Sequence, residues 1–182
     1  MRAFISIELP EKIKKEIFKE FEKLKNSKTC FGNFVKKQNL HLTLRFLGDV
    51  SEEKIKEIIK TLSEINFPEF KADLGKIGFF PSEKYIKIVW INLISEKIPK
   101  LREIINKKLY EKAINYDKKE FNSHITVARI KGIKNKDAFF KKINELNIKR
   151  MNFSIDKIFL IKSELFRDGP RYKILKEFEL VN

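Results

Sequence analysis

Two segments of the chain share one four-residue alternation, and each opens with one of its only two histidines: His41-Leu42-Thr43-Leu44 and His124-Ile125-Thr126-Val127. Successive side chains of a strand point to opposite faces, so a strict apolar–polar alternation folds as a half-buried strand and as little else. In residues 39–46, Leu40, Leu42 and Leu44 line the inward face, and His41, Thr43 and Arg45 share the other. Phe46 continues the inward series and is assigned to the core. In residues 123–128, Ile125 and Val127 go inward, and His124 and Thr126 face outward together. Two imidazoles and two hydroxyls are thereby held on rigid strands. Histidine is the side chain whose ordinary pKa lies nearest neutrality, so such a pair suits proton transfer in both directions.

The rest of the composition limits what the pair can serve. A chain of 182 residues is long enough for one sizeable core, as a single domain of two intimate lobes. Lys and Arg outnumber Asp and Glu by 40 to 25, a net charge of +15 that points to a polyanionic partner. Cys30 is the only cysteine, which excludes an internal disulfide and fits a reducing, cytoplasmic setting. The amino-terminal stretch meets Glu8 too early for a signal peptide. No apolar run approaches the roughly 20 residues of a membrane span.

Residues 3–9 read as a first strand, and Pro10 opens a helix carried by Ile13, Ile17, Phe21 and Leu24. Ser51 is placed to cap a second helix through Ile55, Ile58 and Leu62. A turn at residues 81–84 joins two strands, the second being residues 85–93. Ile98, Leu101, Ile105 and Leu109 mark a third helix, and Asp137 caps a fourth through Phe139 and Ile143. One strand over residues 152–163 and another over 171–180 flank the turn signal Asp168-Gly169-Pro170. Helix and strand recur in similar order around each histidine, which suggests an internal duplication with the lobes face to face.

Zinc needs three or four protein ligands. Two histidines and one cysteine supply no familiar set, so no metal or other cofactor is expected. Cys30 activated by a histidine would leave the second histidine and both threonines unused, and a buried, inert thiol is the simpler reading. Paired acid–base catalysis on a phosphodiester uses everything. One imidazole takes a proton from the attacking water, the other protonates the departing oxygen, and threonine hydroxyls donate to the non-bridging oxygens.

Residues 41–48 (His-Leu-Thr-Leu-Arg-Phe-Leu-Gly) and 124–129 (His-Ile-Thr-Val-Ala-Arg) resemble the two signature motifs of the two-histidine phosphoesterase superfamily. Residues 2–10 are similar to the opening strand of its RNA 2′,3′-cyclic phosphodiesterases, historically called 2′-5′ RNA ligases. Lys162-Ser163-Glu164-Leu165 and Gly169-Pro170-Arg171-Tyr172 are similar to their closing hairpin. The resemblance covers the whole chain. It implies a bilobal α+β fold with two antiparallel sheets facing a V-shaped cleft, and metal-independent opening of an RNA 2′,3′-cyclic phosphate to a 2′-phosphate. By the same likeness His41 and His124 are the catalytic pair, Thr43 and Thr126 hold phosphate oxygens, and Arg129 supplies positive charge. Strict alternation puts Arg129 on the face opposite His124, so the strand must bulge or end near Ala128.

The implied partners are RNA ends bearing 2′,3′-cyclic phosphates, tRNA fragments among them, met by a monomer. Within the pair, the resemblance and the position of Arg129 make His124 the base and His41 the acid. Two other readings stay open: the same fold acting on small cyclic nucleotides, and an RNA- or nucleotide-binding module without turnover. Intact motifs speak against the second.

Overall fold

The computed structural model describes residues 1–117, 120–167 and 169–181, so Asp168 of the expected turn lies outside the described residues. The alternating segments form nine strands among those residues: β1 (Arg2–Glu8), β2 (Cys30–Phe34), β3 (His41–Asp49), β4 (Phe70–Pro81), β5 (Ile86–Ile94), β6 (His124–Ile133), β7 (Asn152–Ile155), β8 (Lys157–Phe166) and β9 (Gly169–Glu179). Four helices intervene: α1 (Glu11–Asn26), α2 (Glu52–Ser63), α3 (Lys97–Glu111) and α4 (Lys136–Glu145). Every strand pairing is antiparallel, in the order β7-β4-β5-β6-β3-β1-β8-β9, with β2 beside β6. The fold is α+β, a curled antiparallel sheet backed by helices.

The apolar stripe of each helix meets one face of the sheet. Ile13, Ile17, Phe21 and Leu24 of α1, Ile58 and Leu62 of α2, Leu101 and Ile105 of α3 and Phe139 of α4 share one core with Ile5, Ile7, Leu42, Leu44, Ile125 and Val127. Each such side chain, fully buried, contributes about 1.5–3 kcal/mol. The opposite face of the sheet is left for chemistry.

The two expected sheets are one. β3 and β6 touch at a single ladder pair, Leu42 with Ile125. Beyond it β6 takes β2 as its partner from Ala128 to Ile133, and the Val35 N–H donates to the Val127 carbonyl at 2.9 Å. On the other strand, the Asp117 N–H donates to the Phe46 carbonyl at 3.0 Å, so a loop closes the edge of β3 that β6 has left. The strands that carry the histidines therefore cross at one point and splay on either side of it.

Other expectations fare unevenly. Ser51 caps α2, its hydroxyl accepting from the Lys54 N–H at 3.3 Å. Asn135, not Asp137, caps α4, accepting from the Ala138 N–H at 2.8 Å, and Asp137 sits in the first turn. The single strand expected over residues 152–163 breaks at Asp156. β7 pairs with β4 and β8 with β1, at opposite reaches of the sheet. The break is written in the spacing: Phe153 and Ile155 are buried, and so are Ile158 and Leu160, which shifts the alternation by one residue.

Candidate active site

A bulge after each motif decides which side chains reach the sheet face that carries the histidines. Along β1 and β3, Ser6 pairs with Thr43 and Ile5 with Arg45, so Leu44 is an extra residue. Along β5 and β6, Trp90 pairs with Thr126 and Val89 with Ala128, so Val127 is extra in the same way. Each bulge lies three residues after its histidine, and each inverts the facing of the next residues along the strand. Ala128 turns inward and Arg129 outward, onto the face of His124 and Thr126, as the expected bulge requires.

The matching bulge in β3 overturns two expectations. Arg45 does not share the face of His41; it is 7% exposed on the core side. Its guanidinium donates to Asn106 Oδ1 and to the Asp117 carbonyl and stacks on Tyr116 at 4.6 Å. Phe46, assigned to the core, is 52% exposed, its ring 6.1 Å from that of Phe4. It occupies in the first motif the place that Arg129 takes in the second.

The single pair Leu42–Ile125 brings the motifs together. Antiparallel register carried one residue to either side of it puts His41 opposite Thr126 and Thr43 opposite His124, on strands that splay from that pair. Both imidazoles are held alike. His41 Nδ1 lies 2.7 Å from the Asn39 carbonyl, and His124 Nδ1 lies 2.6 Å from that of Asn122. A carbonyl only accepts, so each Nδ1 carries a proton, and each Nε2 is the nitrogen left for chemistry. At His41 the Thr43 hydroxyl donates to Nε2 at 2.9 Å. The turn that supplies Asn39 is itself tied down, the side-chain amide of Asn39 donating to the Pro170 carbonyl at 2.9 Å.

Aromatic rings wall each imidazole, and sequence reasoning missed them. His41 stacks on Phe4 at 4.9 Å and meets the edge of Tyr172 at 5.3 Å. His124 meets Phe80 at 5.0 Å and Trp90 at 6.0 Å. The indole lies flat across Gly78, where a Cβ would collide with the ring, so only glycine admits it. These residues come from four strands, β1, β4, β5 and β9. The one available signal was Tyr172, in the closing segment.

Burial among rings penalises the charged imidazole. The pKa of His41 is pulled down from its ordinary 6.5 to about 4 by desolvation, with Lys14, His124 and Arg129 adding repulsion and the Asn39 carbonyl opposing it. His124 is lowered by burial as well, opposed by the Asn122 carbonyl, with Arg129 adding repulsion. That His124 and Arg129, both on β6, act on His41 places the two motifs in one field. Cys30 faces the core, 5% exposed, and burial pushes its thiol up, so it is no thiolate nucleophile. Among the described residues no group of three His, Cys, Asp or Glu could hold a metal ion. No helix among them is long and apolar enough to cross a membrane.

Comparison with known proteins gives the chain its family. The family model described as LigT like Phosphoesterase matches residues 7–90 and 92–172. A Methanocaldococcus jannaschii protein named RNA 2′,3′-cyclic phosphodiesterase is 35% identical over 98% of this chain and 100% of its own length. A Thermotoga maritima protein of the same name is 33% identical over 97% of this chain and 94% of its own. Among solved structures, a Thermus thermophilus protein superposes with a TM-score of 0.82 at 25% identity, covering 99% of this chain and 98% of its own. Escherichia coli LigT complexed with 3′-AMP, 24% identical, has the same fold with a TM-score of 0.79 over 100% of this chain and 98% of its own. With its two motif strands crossing at one ladder pair and a family model matched along nearly its whole length, the chain belongs to the LigT-like phosphoesterases.

Proposed function

We propose that the protein hydrolyses RNA 2′,3′-cyclic phosphate ends to 2′-phosphates, without a metal, using His41 and His124 as an acid–base pair. The observation that carries this reading is the matched mounting of the two imidazoles, each Nδ1 fixed by a carbonyl two residues earlier and each motif set across from the other. The names of the relatives, RNA 2′,3′-cyclic phosphodiesterase, support it.

The cyclic phosphate lies between the histidines. His124 Nε2 takes a proton from water as the water oxygen bonds to phosphorus. His41, protonated, gives its proton to the ribose 3′ oxygen as the P–O3′ bond breaks, and exchange with solvent restores both rings. Thr43 and Thr126 donate to the non-bridging oxygens, and Arg129 balances their charge. The Thr43 hydroxyl donates to His41 Nε2 at 2.9 Å, so it must turn to the phosphate as that ring gains its proton. Phe46 and Tyr172 offer flat apolar surfaces for the terminal base. The net charge of +15 suits a polynucleotide, tRNA fragments included, better than a small cyclic nucleotide. Run backwards, the same transition state joins RNA ends through a 2′-5′ bond. The protein acts as a cytoplasmic monomer in this reading; Lys173 and Lys176 on the edge strand β9 disfavour pairing with a second copy.

A short RNA with a 2′,3′-cyclic end, its products resolved against 2′- and 3′-phosphate standards, tests the proposal. A dominant 2′-phosphate is expected. A dominant 3′-phosphate overturns the direction of opening, and absence of turnover overturns the activity.

The lowered imidazoles make a second prediction. Activity needs one ring neutral and one charged, which gives a bell-shaped profile, and kcat/KM reports the empty enzyme. Both rings titrate below 6.5 there, so the kcat/KM optimum falls below pH 6.5. Bound phosphate favours the imidazolium, so the kcat optimum lies higher. A kcat/KM optimum at or above neutrality contradicts the desolvated state of the pair.

A further inference from the structure

Beside His41 lies a charged pair that the reaction above does not use. Glu8, the last residue of β1, is directly across from His41 in the register. Its Oε2 accepts from Lys14 Nζ, reaching over from α1, at 2.6 Å. Lys14 Nζ also donates to the Gln38 carbonyl at 3.4 Å, one residue before the Asn39 whose carbonyl holds His41 Nδ1. The two side chains are only 11% and 21% exposed. Taking both charges out of water costs several kcal/mol per ion, which their attraction offsets only with good geometry, so such a pair is a poor way to gain stability. Its position suggests a different use.

We propose that Glu8 and Lys14 are positioning residues that set the charge of His41. Alone, a carboxylate across from the imidazole would stabilise the imidazolium. Lys14 cancels it, so the first effective anion His41 meets is the phosphate of the substrate, and the ring takes up its proton when the reaction needs it. The other groups facing His41 leave this balance to the pair. His124 and Arg129 on β6 repel the protonated ring. Tyr172 on β9 is a phenol held neutral, its pKa raised by burial and by Glu8 against the opposing pull of Arg129. Thr43 and Phe4 carry no charge. Burial raises the Glu8 carboxyl and Lys14 opposes that rise, as an enclosed but neutralised carboxylate requires.

The electrostatic part of this inference stands without the catalytic reading, and the test keeps them apart. Only two histidines exist in the chain, so imidazole resonances of the empty protein titrate individually by NMR, assigned with His124→Gln. Lys14→Gln leaves the carboxylate unpaired and raises the His41 pKa by about one unit, the low end of what an opposite charge within 4–6 Å produces. Glu8→Gln does not raise it, and the double variant Glu8→Gln/Lys14→Gln gives back most of the rise, keeping only the part owed to the lost repulsion of Lys14. His124 moves much less throughout. An unmoved His41 in Lys14→Gln overturns the proposal. So does a rise that persists in full in the double variant, since that would come from the lost repulsion of Lys14 or from altered packing rather than from the carboxylate. Should Lys14→Gln fail to fold, Lys14→Met keeps the aliphatic stem and is read the same way. Lack of turnover in the wild-type enzyme would sink the phosphodiesterase reading and leave these titrations untouched.

Discussion

His41→Ala and His124→Ala each lower turnover of a cyclic-ended RNA by about 10²–10⁴-fold, the usual worth of a positioned acid or base. The double variant loses little more than the worse single one, because both rings act on one transition state. Neither side chain contributes to the main core, so the circular dichroism spectrum and cooperative melting persist. His41→Ala softens the packing of Phe4 and Tyr172 and gives the larger fall in melting temperature of the two. A single variant that keeps near-full turnover removes that histidine from the chemistry.

Arg129→Ala carries the second large effect, a loss of about 10²–10³-fold that falls on kcat more than on KM, the range for removing one donor to a developing oxyanion. The bulge at Val127 is what turns this side chain onto the face of His124 and Thr126. Arg129→Lys recovers part of the rate, since an ammonium replaces the charge but not the planar fork of donors. A change of less than about twofold in Arg129→Ala returns Arg129 to the status of a surface arginine at a strand.

Leu40, Leu42 and Leu44 are all buried, as the alternation before the bulge demands, and the same holds for Ile125 and Val127. Up to that point a period of two is a local property, and the sequence contains it in full. At Leu44-Arg45 the period fails, and nothing within residues 44–46 announces it. An arginine followed by a phenylalanine reads as polar-out, apolar-in. The structure reverses both, because Asn106, Tyr116 and the Asp117 carbonyl await the guanidinium on the core side. The corresponding slip in β6 was legible only through the resemblance, because an Arg129 that serves the site requires the strand to bulge or end near Ala128.

The strand β2, pairing with β6, escaped notice because Cys30-Phe31-Gly32-Asn33-Phe34 is too short and too broken by Gly32 to stand out. That glycine is required by a neighbour distant in sequence: a Cβ there would collide with the Arg129 carbonyl oxygen. The break at Asp156 was visible as a phase shift, yet its consequence was not, since β7 and β8 find their partners in β4 and β1, far back along the chain.

By itself the sequence determined the four amphipathic helices, the two His-x-Thr strands and the residue types offered to a phosphodiester. Each rests on the local periodicity of helix or strand and on the inventory of titratable groups. Tertiary structure alone decided that the two motifs meet at Leu42 and Ile125, that Phe46 and Arg129 rather than Arg45 flank them, and that rings from β1, β4, β5 and β9 strip water from the imidazoles. Strand pairing, bulge placement and desolvation are sums over neighbours remote in sequence, and no local pattern encodes them.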